Sequence, residues 1–376
     1  MLAQKLYISK LNRIFVCEKV RNEIFRNMKN PFKFGSIVEK EYFTDREKEC
    51  QYVVRFLDSA NHLILISPRR FGKSSLIAKA LKETGRKSVM INMQNVTSVQ
   101  NFACRLMSAL FKIYPMERLR HIITHFRFIP TLSTNIMTGE VDISFMPDVN
   151  PAVLLEDALN MVERVSSEEE RLIVVLDEFQ DVLTIAKDFD KQLRSVMQTH
   201  QHVNYVFLGS QESMMEGIFE KKKSPFYHFG QMMRLKKIPY DDFFAYVSAR
   251  LPEDVAREVL AFTDCHPYYT QQLAYHVWDL MHYEELTENI INSTVERIIE
   301  LHDLDFERVW MSLTRQERRV LQVMAAGKAD TLLKDHSVPT STTFSVLKKL
   351  IKNGYVIRTD TYQIEDPFFA VWVKRM

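Results

Sequence analysis

Leu63-Ile64-Leu65-Ile66-Ser67-Pro68-Arg69-Arg70-Phe71-Gly72-Lys73-Ser74-Ser75 decides how this chain is read. Four unbroken apolar residues suit a strand buried on both faces. A polar turn with one glycine follows, and Lys73 opens the helix-like stretch that continues from Leu76 to Leu81. Strand, turn and helix N-terminus, in that order, make a phosphate-binding loop of the pattern G-x-x-x-x-G-K-[ST]. First-turn N–H groups and the positive end of the helix dipole would face the phosphates. Lys73 would reach the β- and γ-phosphates, and the Ser74 hydroxyl would ligate magnesium. Gly72 would let the backbone approach the phosphates with no Cβ in the way. Ser67 stands where the pattern has its first glycine; serine makes the bend when its φ is negative. The expected nucleotide cradle is therefore Ser67, Pro68, Arg69, Arg70, Phe71, Gly72, Lys73, Ser74 and Ser75. The competing reading is a basic turn ahead of an ordinary surface helix.

Such a loop needs an acidic partner strand. Leu172-Ile173-Val174-Val175-Leu176-Asp177-Glu178 supplies one, apolar without alternation as a central parallel strand should be. Its carboxylates fall at the C-terminal end, where open α/β sheets bind ligands. Asp177 is the expected second magnesium ligand, and Glu178 the group that orients or deprotonates the attacking water. A further strand, Tyr205-Val206-Phe207-Leu208-Gly209, ends in Ser210-Gln211. Ser210 and Gln211 are candidate γ-phosphate sensors; equally, Ser210 is a good helix N-cap.

The chain has 376 residues, enough for two or three domains, and 46% of them are apolar. The 50 Lys and Arg balance 48 Asp and Glu, so any nucleic-acid surface must be local. Cys17, Cys50, Cys104 and Cys265 are widely separated, without metal-ligand spacing, which fits reduced thiols in a cytoplasmic protein. No apolar run is long enough for a membrane span, and Lys5, Lys10, Arg13, Lys19 and Arg21 interrupt any signal-peptide core.

Residues 1–30 read as an N-terminal lead-in, closed by Asn30-Pro31. Thr44 or Asp45 is the expected N-cap of a helix running towards the first strand. Strand-helix alternation continues through Ser88–Met93, a helix from about Ser98 to Tyr114, a helix from Val153 to Val165, and on to about residue 235. Residues 31–237 are thus expected to form a parallel sheet with helices on both faces. Within it, 115–150 reads as an insertion, with Ile136–Val141 and Ile143–Met146 as a small hairpin or lid. Residues 238–312 carry four helical patterns, at Asp241–Leu251, Pro252–Phe262, Tyr268–His282 and Val295–Leu301. Residues 313–376 form a third unit. Thr314-Arg315-Gln316-Glu317 is a capping box, a short helix is expected near Ala329–Asp335, and Thr340 or Ser341 would cap a third, with Phe344, Val346, Leu347, Leu350 and Ile351 apolar. Asn353-Gly354 ends that helix, and Tyr355–Ile364 reads as a two-stranded wing.

In motif order the chain resembles the archaeal-type P-loop ATPases, which stand near AAA+ proteins and the signal-transducing ATPases with numerous domains (STAND). Phe43-Thr44-Asp45-Arg46-Glu47 is similar to their F-x-x-R-E lead-in near the adenine. Pro68–Ser74 is similar to P-R-R-x-G-K-[ST], and Leu176-Asp177-Glu178-Phe179-Gln180 to L-D-E-F-Q. His266-Pro267-Tyr268-Tyr269 resembles a segment of the helical lid placed near the nucleotide, and Asp366-Pro367-Phe368-Phe369-Ala370-Val371-Trp372 the D-P-F-x-x-x-W ending. The resemblance spans about residues 30–376 and implies an AAA+-like P-loop core, a helical lid and a winged helix. It implies ATP with Mg2+, and Pro267 packed against the base or ribose. Ser67 and Cys265 stand where glycines are usual.

The sequence thus points to an ATP-binding, Mg-dependent ATPase in which Glu178 and Lys73 serve the chemistry and nucleotide state reaches the winged helix through the lid. The alternative is a non-hydrolysing nucleotide switch or a DNA-binding regulator. No guanine-reading N-K-x-D segment follows the acidic strand. Lys348, Lys349 and Lys352 are the candidate DNA contacts, against a plain solvated helix face. Lys221-Lys222-Lys223 reads as a solvated loop, and His266 as a packed lid residue. A protein partner or self-association would bring in an arginine finger, for which Arg69, Arg70 and Arg234 are candidates.

Overall fold

The computed structural model describes residues 29–38, 42–44, 46–124, 126–127, 131–134, 141–144, 150–283, 289–327, 340–358 and 361–376. The expectations for residues 1–28, and for a helix near Ala329–Asp335, lie outside them. The chain divides into two compact units, residues 46–236 and residues up to 45 with 237–376.

The unit 46–236 is built on a five-stranded sheet. Its strands are β1 (Leu63–Ile66), β2 (Ser88–Asn92), β5 (Leu172–Asp177), β6 (Val203–Gly209) and β7 (Gln231–Arg234), in the spatial order β2-β5-β6-β1-β7. All four neighbouring pairs are parallel. β6 lies between the loop strand and the acidic strand. The register sets Ile66 beside Gly209, Leu176 beside Phe207 and Asp177 beside Asn92, so the strands end together on one rim. Burial explains the continuous apolar runs: β1, the first five residues of β5 and all of β6 are buried. Phe102, Leu106, Leu154, Ala158, Phe189 and Leu193 come from helices and complete one core with the sheet. At the opposite rim, buried Asn204 of β6 donates to the carbonyls of Ser59 (2.7 Å) and Asn61 (2.9 Å) and accepts from Arg86 (2.6 Å). That stitch satisfies a polar side chain in an otherwise apolar strand.

Two expectations shift. The helix Glu47–Leu57 has Arg46, in the left-handed conformation at φ 68°, as its N-cap, and no side chain caps it. Thr44 instead accepts a hydrogen bond from Gln271 at 2.8 Å, and Asp45 is outside the described residues. The insertion does contain an antiparallel hairpin, but its strands are β3 (Thr131–Thr134) and β4 (Val141–Ser144), earlier than the apolar residues suggested. Alternation marks a strand, but only the turn fixes its register.

The other unit carries the helices Tyr240–Ser248, Glu253–Thr263, Pro267–Tyr283 and Ile290–Ser312, the last far longer than Val295–Leu301. Helices Arg315–Ala325 and Thr340–Lys352 follow, then β8 (Val356–Arg358) paired antiparallel with β9 (Tyr362–Ile364), the wing. The expected capping box is formed: Thr314 accepts from Glu317 N–H while Glu317 accepts from Thr314 N–H at 2.7 Å. A final helix, Pro367–Arg375, is capped by Asp366, whose carboxylate accepts from Phe368 and Phe369 N–H. One core runs through all of this, from Phe32 and Phe243 to Leu347 and Trp372. No helix among the described residues is long and apolar enough to cross a membrane.

Candidate nucleotide site

The loop between β1 and the helix Lys73–Thr84 takes its shape from two left-handed residues, Arg70 (φ 62°) and Gly72 (φ 87°). Ser67 is not among the left-handed residues, so nothing in its backbone requires glycine. Its N–H donates to Gly209 O at 3.3 Å, continuing the sheet by one residue. The side chain is fully buried, and its hydroxyl has a task that a glycine cannot perform. Lys73 Nζ donates to Ser67 O (2.9 Å), Ser67 Oγ (3.2 Å) and Pro68 O (3.0 Å). The resting ammonium is thus folded back over the loop. Burial pulls its pKa down to about 8, against the opposing pull of Glu178, Asp177 and Glu212. The helical ladder begins with Leu76 N–H to Gly72 O at 2.9 Å, so the N–H groups before it precede the helix's own acceptors.

Across the rim, Ser74 Oγ lies 3.5 Å from Asp177 Oδ2. The other Asp177 oxygen accepts from Glu178 N–H at 2.9 Å. Burial first, and then Glu178, raise the Asp177 pKa. The Lys73 ammonium, bonded to Ser67 and Pro68 rather than to Asp177, offsets only part of that burial cost. A hard divalent cation between the Ser74 hydroxyl and Asp177 would relieve it, and such ions take few protein oxygens when phosphates and water fill the remaining positions. The donor set therefore fits Mg2+.

Glu178 is left-handed at φ 50° and ψ 46°, and heads the 3-10 turn Phe179–Asp181. For a residue with a Cβ this costs about 1 kcal/mol. Its Oε2 accepts two hydrogen bonds, from Ser210 Oγ at 2.6 Å and Gln180 Nε2 at 2.5 Å. The capping reading of Ser210 therefore gives way: Gln211 is the N-cap residue of the helix Glu212–Phe219, and the Ser210 hydroxyl reaches the acidic strand instead.

Arg69 and Arg70 are exposed beside the loop. Asp181, whose pKa burial raises, feels the opposing charge of Arg69. Arg234 pairs with Glu216 (2.9 Å) and Glu220 (3.1 Å) of its own unit. Lys221, Lys222 and Lys223 are exposed. Pro267 opens the helix Pro267–Tyr283 in the other unit. His266 before it is buried, 3.5 Å from Glu365, and Tyr269 donates to the same carboxylate at 2.5 Å. Asp264 and Cys265 are both left-handed (φ 48° and 53°), which is why glycine suits position 265. Of the three lysines on the helix Thr340–Lys352, Lys349 is bound to Glu317 at 2.8 Å, while Lys348 and Lys352 are exposed beside a half-exposed Phe344. Phe344 is therefore not one of that helix's core residues.

Two participants carried no role in the sequence reading. Buried Arg46 donates to Phe71 O in the loop (3.2 Å) and to Lys236 O (2.8 Å), and pairs with Glu49. Gln180 is the second donor to Glu178. Both stand inside quoted motifs, the lead-in and the acidic strand end, but only three-dimensional proximity assigns them partners.

No protein-family profile and no curated protein matches the chain. Solved structures do. A Walker-type ATPase of Pyrococcus abyssi is 18% identical at a TM-score of 0.66, over 92% of this chain and 99% of that one. The ORC2 protein of Aeropyrum pernix, solved as ADPNP-ADP complexes, is 15% identical at a TM-score of 0.54, over 92% of this chain and 96% of its own. The ORC1 protein of Aeropyrum pernix, solved in complex with DNA, is 13% identical at 0.51, over 92% and 97%. At such identities the likeness speaks to fold, and it agrees with the parallel sheet, the loop after β1 and the winged C-terminal region: the chain has the fold of the archaeal-type, AAA+-like P-loop ATPases.

Proposed function

We propose that the protein binds ATP with Mg2+ and hydrolyses it to ADP and phosphate. One observation carries the reading: Ser74 of the loop, Asp177 and Glu178 of the acidic strand, and Ser210 after β6 form one connected rim, with Lys73 buried beside it. Lys73 leaves its acceptors on Ser67 and Pro68 for the β- and γ-phosphates, and the N–H groups of Gly72 to Ser75 close around them. Ser74 and Asp177 hold the magnesium ion, which neutralises charge on the phosphates. Glu178 takes the proton of a water in line with the γ-phosphate. Ser210 and Gln211 report the γ-phosphate, Ser210 through Glu178. Pro267 contacts the base or ribose as the helical lid, residues 238–312, closes and moves the winged helix, residues 313–376. The cytoplasm is the compartment of this proposal, in keeping with free thiols at Cys50, Cys104 and Cys265.

Single-turnover phosphate release from MgATP tests the proposal. Release by the wild type that drops to a small residual rate in Glu178→Gln is expected. Tight ATP binding with no release from either protein would replace hydrolysis with a nucleotide switch.

A second reading concerns DNA. Phe344, Lys348 and Lys352 lie on the solvent side of the winged helix's last long helix, and the similar Aeropyrum pernix ORC1 protein was solved with DNA. Duplex binding that weakens with salt and on Lys348→Ala and Lys352→Ala substitution would support it. Equal binding by the variants would remove it.

A further inference from the structure

We infer that Gln180 is a positioning residue for Glu178: its amide, with the Ser210 hydroxyl, fixes one carboxylate oxygen so that the other is presented to water. The inference rests on the ATPase reading and adds to it a residue that this reading does not use.

Glu178 Oε2 carries two hydrogen bonds, from donors on the turn after β5 and on the chain after β6. Glu178 Oε1 accepts none from the described residues, so the two oxygens are unequal. A carboxylate pinned at one oxygen by two donors from different segments cannot rotate freely. Its remaining lone pairs then have a fixed direction, which a general base needs. Carboxylate oxygens accept, so the Gln180 side chain must turn its NH2 towards Glu178.

That orientation has a cost, which argues against simple packing. Gln180 is fully buried, and its Oε1 accepts no hydrogen bond from any described residue. An orphaned buried carbonyl is unfavourable and rare. A leucine would fill nearly the same volume with no such penalty. What glutamine does at this position, and leucine cannot, is donate to Glu178. Ser210 alone would leave the carboxylate free to swing about a single contact.

A double-mutant cycle tests the inference. Wild type, Gln180→Leu, Glu178→Gln and the double variant are compared for single-turnover phosphate release and for equilibrium MgATP affinity. Loss of a hydrogen bond to a charged group predicts a fall of about tenfold to a hundredfold in release rate for Gln180→Leu, with ATP affinity within about twofold of wild type. Gln180→Leu should cause no further fall in the Glu178→Gln background, because its effect passes through that carboxylate. Additive losses, or an unchanged rate in Gln180→Leu, would overturn the inference. The clamp also has a readout that needs no turnover. A crystal structure of Gln180→Leu should show the Glu178 carboxylate displaced or in several conformers; a single ordered carboxylate still on Ser210 would overturn it. If the wild type does not hydrolyse ATP, the proposed function fails, and that structure still decides the role of Gln180.

Discussion

The buried Lys73 makes nucleotide binding a proton-linked event. In the resting protein its pKa lies near 8, pulled down by burial. Facing phosphates, the ammonium should return at least to the free-lysine value of about 10.4. Binding therefore takes up a proton wherever the resting lysine is neutral and the bound one charged. At about pH 8.5 the uptake is about 0.75 proton per nucleotide, falling to about 0.1 near pH 7. Over the same logic, Kd should weaken about tenfold between about pH 7 and about pH 9, or about 1.4 kcal/mol. The sign for stability is opposite. A depressed lysine pKa means that holding the charge buried destabilises the fold fully below pH 8. That destabilisation, at most about 3 kcal/mol, fades as pH rises towards the free-lysine value. The resting protein should therefore gain stability from this group over the window in which it loses affinity. The assay is titration calorimetry of ATP in EDTA, so that no metal ion contributes, in buffers of different ionisation enthalpy. Lys73→Arg is the control, because a guanidinium stays charged throughout and its Kd should carry only the nucleotide's own titration. A wild-type Kd that changes less than about twofold over the range, or follows the arginine variant, would refute the reasoning.

Three further substitutions follow from the same geometry. Ser67→Ala removes one resting acceptor of Lys73 and should strengthen ATP binding by up to about fivefold, about 1 kcal/mol, measured as Kd; weaker binding would count against the parked lysine. Arg46→Met cuts the bonds to Phe71 O and Lys236 O and should lower unfolding stability by about 2–4 kcal/mol in urea, with a loss of ATP affinity; an unchanged midpoint would show that the guanidinium is dispensable. Gly209→Ala would set a Cβ 2.3 Å from Met215 Cγ, and should cost about 1–3 kcal/mol in thermal or urea unfolding unless Met215 swings clear.

The sequence made legible those features whose physics is local. β1, β5 and β6 are buried on both faces, and their unbroken apolar runs reveal it. The capping box at Thr314 and the wing after Gly354 also carry their signals within a few residues. β7 has no such signal: Gln231 and Arg234 are exposed, Met232 and Met233 half-buried, and it is a sheet edge of four residues. The helix Pro367–Arg375 has one, Asp at the N-cap and Pro at the first position, inside the D-P-F-x-x-x-W segment. Within the candidate site, spacing placed Lys73, Ser74, Asp177 and Glu178. It was silent on the hydroxyl of Ser67, on Arg46 and on Gln180. Each of these acts through a distance that only folding closes, or through a dihedral angle that residue type does not announce.

Residues 29–44 belong to the same compact unit as residues 237–376, although about 190 residues of sheet domain lie between them in sequence. Asn30 donates to Tyr275 O (3.0 Å) and Asp279 (2.8 Å), Thr44 accepts from Gln271, and Phe32 is buried in that unit's core. This has a consequence for the order of folding. During synthesis the stretch 29–44 emerges early but cannot be satisfied until the helix Pro267–Tyr283 has been made. Closing loops of that length is slow, and the waiting segment keeps Phe32 uncovered meanwhile. The sheet domain is contiguous, with its partners at hand, so it should be complete first. A C-terminal fragment starting at residue 237 would then be born with a gap in its core where Phe32 belongs, and supplying residues 29–44 as a separate peptide should fill it.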